Sequence, residues 1–356
     1  MLKGINYVIR IMIWLIVALI VITGAVLTYF TVTEYKPPLR EPLKVMGHAR
    51  KEIKDTLTFL TWNIGYAGLG REMDFFYEGG TQVRPSPKDA RRYLEGIIDL
   101  LMKNDSVDFV LLQEVDRRAR RSYDTDQVGE IQAHLSSFTS VYAYNYVSKF
   151  VPLPLRNPMG GVKSGLMLLS RYEPQQAVRY NLQSRYPWPK RLFLLDRCFI
   201  LTRYPMADGH DLVVINTHNS AFEDAALLRQ KELVIIKETL EEEYTHGNYV
   251  IIGGDWNQNP LPYDQNQITS GDRVKAIMPG IPGDFLPEGW TWAYDPSLPT
   301  NRDVDKPYSE GASPTTIIDF YVLSPNITLL NVHTLATRFA FSDHQPVLMR
   351  ITLRER

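Results

Sequence analysis

Tyr249-Val250-Ile251-Ile252-Gly253-Gly254-Asp255-Trp256-Asn257 is the stretch from which the fold can be read. Tyr249 to Ile252 is a short apolar run of buried-strand type, and it runs through two glycines into a carboxylate and an amide. A buried strand that stops at polar side chains delivers them to one edge of its sheet. The same design recurs on both sides. Leu57-Thr58-Phe59-Leu60-Thr61-Trp62 alternates as a strand does and leads to Asn63. Phe109-Val110-Leu111-Leu112 leads to Gln113-Glu114, and Leu212 to Asn216 leads to Thr217-His218. Asp319 lies within the run Ile317 to Leu323, and Ser342-Asp343-His344 comes just before the last run, Val347 to Leu353. Ser164 to Ser170 reads as a further strand.

Helices are fewer. Ala90 to Met102 places Tyr93, Leu94, Ile97, Ile98 and Leu101 on one helical face, and Leu227 to Leu240 is a second amphipathic stretch. Strands that outnumber helices, with tight turns between them, predict two packed sheets with helices outside rather than a doubly wound parallel sheet. Residues 258–315 are rich in Pro, Gly and Asp and are expected to form a long surface excursion with little regular structure.

Composition narrows the function classes. The 356 residues carry 39 Lys and Arg against 40 Asp and Glu, a net charge of −1. No strongly basic footprint exists for tight, nonspecific nucleic-acid binding. Hydrophobic residues at 44% and charged residues at 22% exclude a mostly disordered chain. The one cysteine, Cys198, excludes an internal disulfide framework and a Cys-cluster zinc site.

Taken singly, each polar strand end has an ordinary reading. Asn63 and Asp255 suit turns, Glu114 a solvated surface, His218 a core position and Asp343 a local cap. Their joint occurrence at strand ends argues for one site. Carboxylate and amide oxygens suit a hard cation, Mg²⁺ or Mn²⁺. Two histidines supply a base and an acid near neutral pH. With no Ser or Cys nucleophile in the set, this fits metal-assisted attack of water at phosphorus. The cation and His218 would neutralise phosphoryl oxygens while a His–Asp pair activates the water.

Seven blocks in order carry a resemblance: Thr61-Trp62-Asn63-Ile64, Leu112-Gln113-Glu114-Val115, Gly165 to Tyr172, Ile215-Asn216-Thr217-His218, Gly253 to Asn257, Ile318-Asp319-Phe320, and Ser342 to Val347. Together they resemble the signature of the endonuclease/exonuclease/phosphatase superfamily, the deoxyribonuclease-I-like fold, over residues 57–353. The resemblance implies a four-layer α/β sandwich with two central mixed, largely antiparallel sheets. It implies Glu114 as principal metal ligand with Asn63 beside it, and Asp343 on the metal side. It implies His344 as general base oriented by Asp319, with Asp255 and Asn257 positioning the nucleophile. His218 would bind the scissile phosphate or act as acid. Gln258-Asn259-Pro260 and Thr316-Ile317-Ile318-Asp319 depart from the inositol-polyphosphate 5-phosphatase pattern, and His218 is more similar to the secreted nuclease and sphingomyelinase branches.

The N-terminus has its own character. Ile11 to Val32 carries no charge and at 1.5 Å per residue spans roughly 33 Å, enough to cross a hydrocarbon core. Trp14 near one end and Tyr29 and Phe30 near the other are placed as interfacial anchors. The expectation is an uncleaved single-pass anchor at 11–32 behind a short tail at 1–10. A buried core helix, or a signal peptide cleaved near Thr23-Gly24-Ala25, is the rival. Lys36, Arg40, Lys44, Arg50 and Lys51 follow the span and point the C-terminal part inward, whereas the basic tail with Lys3 and Arg10 resembles an export signal; an extracytoplasmic domain is expected. Residues 33–56, with Pro37, Pro38 and Pro42, read as an extended linker, and 57–356 as the catalytic domain.

Three functions fit: a membrane-anchored phosphodiesterase acting on a phospholipid or small phosphodiester, an anchored nuclease, or a noncatalytic binding module on the same fold. Lys190 and Arg197, with Arg191, are expected as a phosphate clamp or a solvated basic face. Arg117-Arg118 and Arg120-Arg121 could track a nucleic-acid backbone, and Trp188, Trp290 and Trp292 with Tyr186 could meet a lipid surface, stack on a base or pack inside.

Overall fold

A computed structural model describes residues 2–49, 52–221, 226–264, 273–274 and 280–354. In chain order its elements begin with α1 (Leu2–Val32), β1 (Arg40–Pro42), β2 (Thr56–Asn63), α2 (Pro87–Lys103), β3 (Phe109–Asp116) and α3 (Gln127–His134). There follow β4 (Thr139–Val151), β5 (Gly160–Ser170), β6 (Gln176–Asn181), β7 (Cys198–Pro205), β8 (Asp211–His218), α4 (Ala226–Thr245) and β9 (Tyr249–Asp255). The last are β10 (Arg273–Val274), β11 (Thr291–Ala293), β12 (Asn301–Arg302), β13 (Pro314–Thr316), β14 (Asp319–Leu323), β15 (Ile327–Thr334) and β16 (Val347–Leu353).

Two sheets form the centre. One has the order β1-β6-β7-β8-β9-β14-β11, the other β15-β16-β2-β3-β5-β4. Each holds one parallel pair, β8 with β9 and β2 with β3, among antiparallel neighbours. Alternation along the strands sends side chains to two cores. Leu57 and Phe59 of β2 join Ile200, Val214, Ile251 and Tyr321 of the other sheet in a core between the sheets. Leu60 and Trp62 face the opposite way, onto Tyr93, Leu94, Ile97 and Leu101 of α2. On the far side Leu233, Ile236 and Leu240 of α4 cover Val213, Val250 and Ile252. Helices outside two packed sheets make the four-layer α/β sandwich.

The helix α2 shows why its sequence starts where it does. Ser86 Oγ accepts from Asp89 N at 3.1 Å, its hydroxyl bonds the Asp89 carboxylate, and Pro87 takes the first turn. Five of its residues, Tyr93, Leu94, Ile97, Ile98 and Leu101, then recur at helical spacing into the core, as the sequence predicts.

Residues 33–56 are extended but not detached. Arg40–Pro42 pairs antiparallel with β6, an edge position that tolerates Pro42. Leu43 N donates to Ala177 O, and Met46 exchanges backbone bonds with Ser140. Leu43 and Val45 pack against the core between the sheets. The pairing partners are distant in sequence, so composition alone reads this stretch as a linker. Arg50 and Lys51 lie outside the described residues.

The excursion at 258–315 also holds more order than expected. It supplies β11 to the edge of the larger sheet, and β10, β13 and β12 form a small sheet of their own. Residues 265–272 and 275–279 lie outside the described residues. Trp290 packs on Tyr244, and Trp292 packs near Trp256, Phe285 and Phe320, so both tryptophans serve the core.

Strand packing is tight where the two parallel strands meet. Gly254 has φ +147°, and a Cβ there would overlap the Thr217 carbonyl oxygen of β8. Gly254→Ala is expected to lower stability by about 2–3 kcal/mol. An unchanged urea midpoint would contradict this close approach.

Candidate active site

Topology explains why polar ends gather. Two parallel strands finish at the same edge, so Asn63 of β2 and Glu114 of β3 arrive together, as do His218 of β8 and Asp255 of β9. Antiparallel neighbours begin where those pairs finish. Asp319 is therefore the first residue of β14, not an interior one, and registers with Asp255. Ser342-Asp343-His344 leads into β16 beside β2 in the same way.

Local backbone aims two of these side chains. The β3–β5 register shifts between Leu112 and Val115, and Glu114 at the bulge has φ +54°. That turn interrupts the strand alternation and leaves its carboxylate on the cleft. Asn257 also has a left-handed backbone, φ +51°, and its amide N–H donates to Asp255 Oδ1 at 2.9 Å.

A cleft of about 860 Å³ is lined by Asn63, Glu114, His218, Asp255, Asn257, Asp343 and His344, with Lys190 and Arg197. Asp319 stands behind His344, its Oδ2 2.7 Å from Nδ1. All ten sequence-predicted residues therefore meet at one site. The Asn63 amide group links its two halves, donating to Asp255 Oδ2 at 2.9 Å and to Glu114 Oε1 at 3.3 Å. His218 Nε2 lies 3.3 Å from the same Asp255 oxygen.

Charge is distributed unevenly. Burial opposes a proton on His344, but Asp319, Asp255 and Asp343 around it outweigh burial and push its pKa up to about 10. Burial raises Asp255 to about 6, moderated by the positive field of His344. Asp343 is likewise raised, by burial first and by Glu114 besides. His218 goes the other way. Burial, reinforced by Arg197, His344 and Arg121, holds it well below the usual histidine range. His218 Nδ1 is buried with no hydrogen-bond partner among the described residues.

Asp255, Asp319 and His344 offer ligand atoms within 4.8 Å of one another. Within this trio His344 Nδ1 is taken by Asp319, while Asp255 lies 3.8 Å from Nε2.

The basic residues separate. Arg197 is buried rather than part of a solvated face, and its Nη1 has no hydrogen-bond partner among the described residues. Lys190 lies over the Tyr186 ring, 4.4 Å from its centroid. Arg191 pairs with Glu34 at 3.0 Å. In the runs Arg117-Arg118 and Arg120-Arg121, the first and last arginine face acids. Arg117 lies 3.8 Å from Asp126, and Arg121 is buried in a two-pronged pair with Asp116, 2.9 and 3.1 Å.

Two cleft residues escape sequence reasoning. Arg121 sits 3.8 Å from Glu114 and 3.7 Å above the Tyr66 ring, so it braces the carboxylate from behind. Asn301 places Nδ2 3.0 Å from His344 Nε2, through a bridge between their backbones. Its only sequence signal is an amide within the irregular 258–315 stretch.

Comparison with known proteins bears on the fold and the family. Among curated proteins none matches the chain. An endonuclease/exonuclease/phosphatase protein from Beutenbergia cavernae DSM 12333 is similar in structure, with TM-score 0.54, 19% identity, and coverage of 85% of this chain and 72% of that one. One from Bacteroides vulgatus gives 0.52 at 16% identity, covering 85% of this chain and 100% of that one. ANGEL2, a 2',3'-cyclic phosphatase solved with adenosine-2',3'-vanadate, gives 0.55 at 13% identity, covering 88% and 99%. These likenesses show the fold. The model of the Endonuclease/Exonuclease/phosphatase family matches residues 60–344, from β2 to the His344 that faces the cleft, and the chain belongs to that family.

Proposed function

We propose that the chain is a membrane-tethered, divalent-cation-dependent phosphodiesterase whose substrate is a phospholipid or a small phosphodiester. The observation that carries this reading is the Asp319–His344 pair held beside Asp255, with Glu114 and Asp343 on the same cleft. The donor set fits a hard cation, being built of carboxylate and amide oxygens without a thiolate. Glu114, Asn63 and Asp343 would hold it. When bound, Mg²⁺ or Mn²⁺ neutralises the acids, polarises phosphoryl oxygens and so favours the uncharged His344 that a general base requires.

The chain's own residues do the rest. Asp319 fixes the His344 tautomer with the proton on Nδ1, which leaves Nε2 to take a proton from water. Asp255 and Asn257 orient that water. His218 contacts the phosphoryl group, and the buried guanidinium of Arg197, with Lys190, clamps the phosphate. The anchor reading rests on Ile5–Val32, long and apolar enough to cross a membrane and with none of its apolar window buried in the fold. The pairing of Arg117 and Arg121 with acids weighs against the nuclease reading.

The test uses the full chain in detergent with bis(p-nitrophenyl) phosphate, sphingomyelin, glycerophospholipids and plasmid DNA. Hydrolysis of a phosphodiester in Mg²⁺ or Mn²⁺ is expected to fall at least 100-fold in excess EDTA and to return with the metal. Turnover unaffected by EDTA, or no turnover of any of these, refutes the proposal. Plasmid nicking alone, steeply weakened by salt, would replace it with the nuclease.

A further inference from the structure

The end of α1 is clamped to a wall of the cleft. Glu34 is almost fully buried and receives Arg185 at 2.9 Å and Arg191 at 3.0 Å. Arg185 also donates to Tyr35 O, and Trp188 Nε1 donates to Thr31 Oγ1 at 3.1 Å. Phe30 packs edge-on against Phe193, with centroids 5.7 Å apart. The segment 185–193 that makes these contacts continues into the site, for Lys190, Phe193, Leu194, Leu195 and Arg197 line the cleft.

An apolar lip adjoins this wall. Tyr146 Oη donates to Phe193 O and Ser148 Oγ to Leu192 O, so the end of β4 lies against the wall. Beyond it Leu153 is 47% and Leu155 84% exposed, with Phe150 and Tyr77 partly exposed beside them. Tyr77 Oη donates to Leu153 O, and both residues line the cleft. Exposed leucines and aromatics gathered at a site mouth, next to the end of an apolar helix, belong at a membrane interface.

Resting on the phosphodiesterase reading, we propose that the Glu34 clamp holds the cleft mouth on the leaflet from which α1 emerges, so that the substrate is the headgroup phosphodiester of a phospholipid in that leaflet. Phe30 and Thr31 close the apolar span, which sets Trp188 and Phe193 at headgroup level. The lip at Leu153 and Leu155 then dips among the acyl chains, and Lys190 and Arg197 meet the phosphate. The anchor is thereby an orienting device and not a flexible leash.

Two measurements on the full chain in phosphatidylcholine vesicles test this. An environment-sensitive dye placed at Leu155→Cys reports depth, since the native thiol Cys198 is buried and its pKa raised by that burial. Doxyl-labelled phosphatidylcholine is expected to quench the dye by half or more, and Glu34→Lys, which sets a third cation against Arg185 and Arg191, is expected to abolish the quenching. Glu34→Lys is also expected to cut hydrolysis of vesicle phospholipid at least tenfold while leaving bis(p-nitrophenyl) phosphate turnover within twofold. Trp188→Ala, which removes a half-exposed side chain, shows the same selective loss should Glu34→Lys not fold. A dye that stays unquenched with Glu34 intact, or equal effects on both substrates, overturns the proposal. Quenching without hydrolysis of either substrate instead refutes the phosphodiesterase reading and leaves the clamp standing.

Discussion

Replacing His344 by alanine is expected to lower kcat for phosphodiester hydrolysis by about 10³–10⁴-fold with little change in fold. The ring is fixed through Nδ1 and turns its second nitrogen, Nε2, to the cleft beside Asn301. Its Nδ1 is committed to Asp319, and its Nε2 is bordered by Asn301, Asn63 and Asp255. The backbone around it is held independently of the ring: Trp62 Nε1 donates to His344 O at 2.9 Å, and His344 N donates to Ser342 Oγ at 3.1 Å. The variant should therefore keep its circular dichroism spectrum and its urea midpoint. Steady-state kinetics on a saturating monomeric diester decide the matter; a loss under tenfold would place the base elsewhere.

Arg121→Met is expected to produce the second large effect, on stability and activity together. Arg121 and Asp116 are both buried, and removal of one partner leaves an unpaired charge, at a cost of about 3–5 kcal/mol. Asp116 keeps Ser122 Oγ at 2.9 Å, which offsets only part of that loss. Glu114 meanwhile loses the guanidinium behind it, so the affinity for the dication should change as well. Urea unfolding gives the stability, and titration of Mn²⁺ followed by its paramagnetic signal gives the metal affinity without any turnover. Arg121→Lys should recover little, because an ammonium cannot make the two-pronged contact and lie flat on Tyr66. A variant as stable as the parent would show that this pair is not what holds Glu114.

The strands that carry chemistry are the legible ones. β9, β8, β3 and β2 announce themselves because an apolar run ends abruptly in Asp, His, Glu or Asn. β4 does not: Tyr142, Tyr144 and Tyr146 alternate with Ala143 and Asn145, and nearly all of them are buried or half-buried, so no solvent face marks the strand. β7 ends at Tyr204-Pro205 without a polar terminus, and β6 and β15 do end at Asn181 and His333-Thr334, but Arg179 and Asn331 interrupt their apolar runs. α2 and α4 are legible through helical spacing, whereas the eight residues of α3 are too few to establish a period. Among side chains, Asn301 and Arg121 are invisible for a different reason. Each acquires its position through a partner far away or a burial event that no local pattern encodes, and the Arg120-Arg121 run even suggests a solvated surface.

One pair of amides between the sheets has a further consequence. Gln113 Nε2 donates to Asn216 Oδ1 at 2.7 Å, and Asn216 Nδ2 bonds the carbonyls of Leu112 and Met167 at 3.0 Å each. Gln113 directly precedes Glu114, and Asn216 stands two residues before His218. The lock between the layers is thus also an alignment key for the reaction centre. Sliding one layer over the other by a single residue would break these three hydrogen bonds between buried groups and part Asn63 and Glu114 from His218 and Asp255, so the register of the layers and the geometry of the cleft are set together.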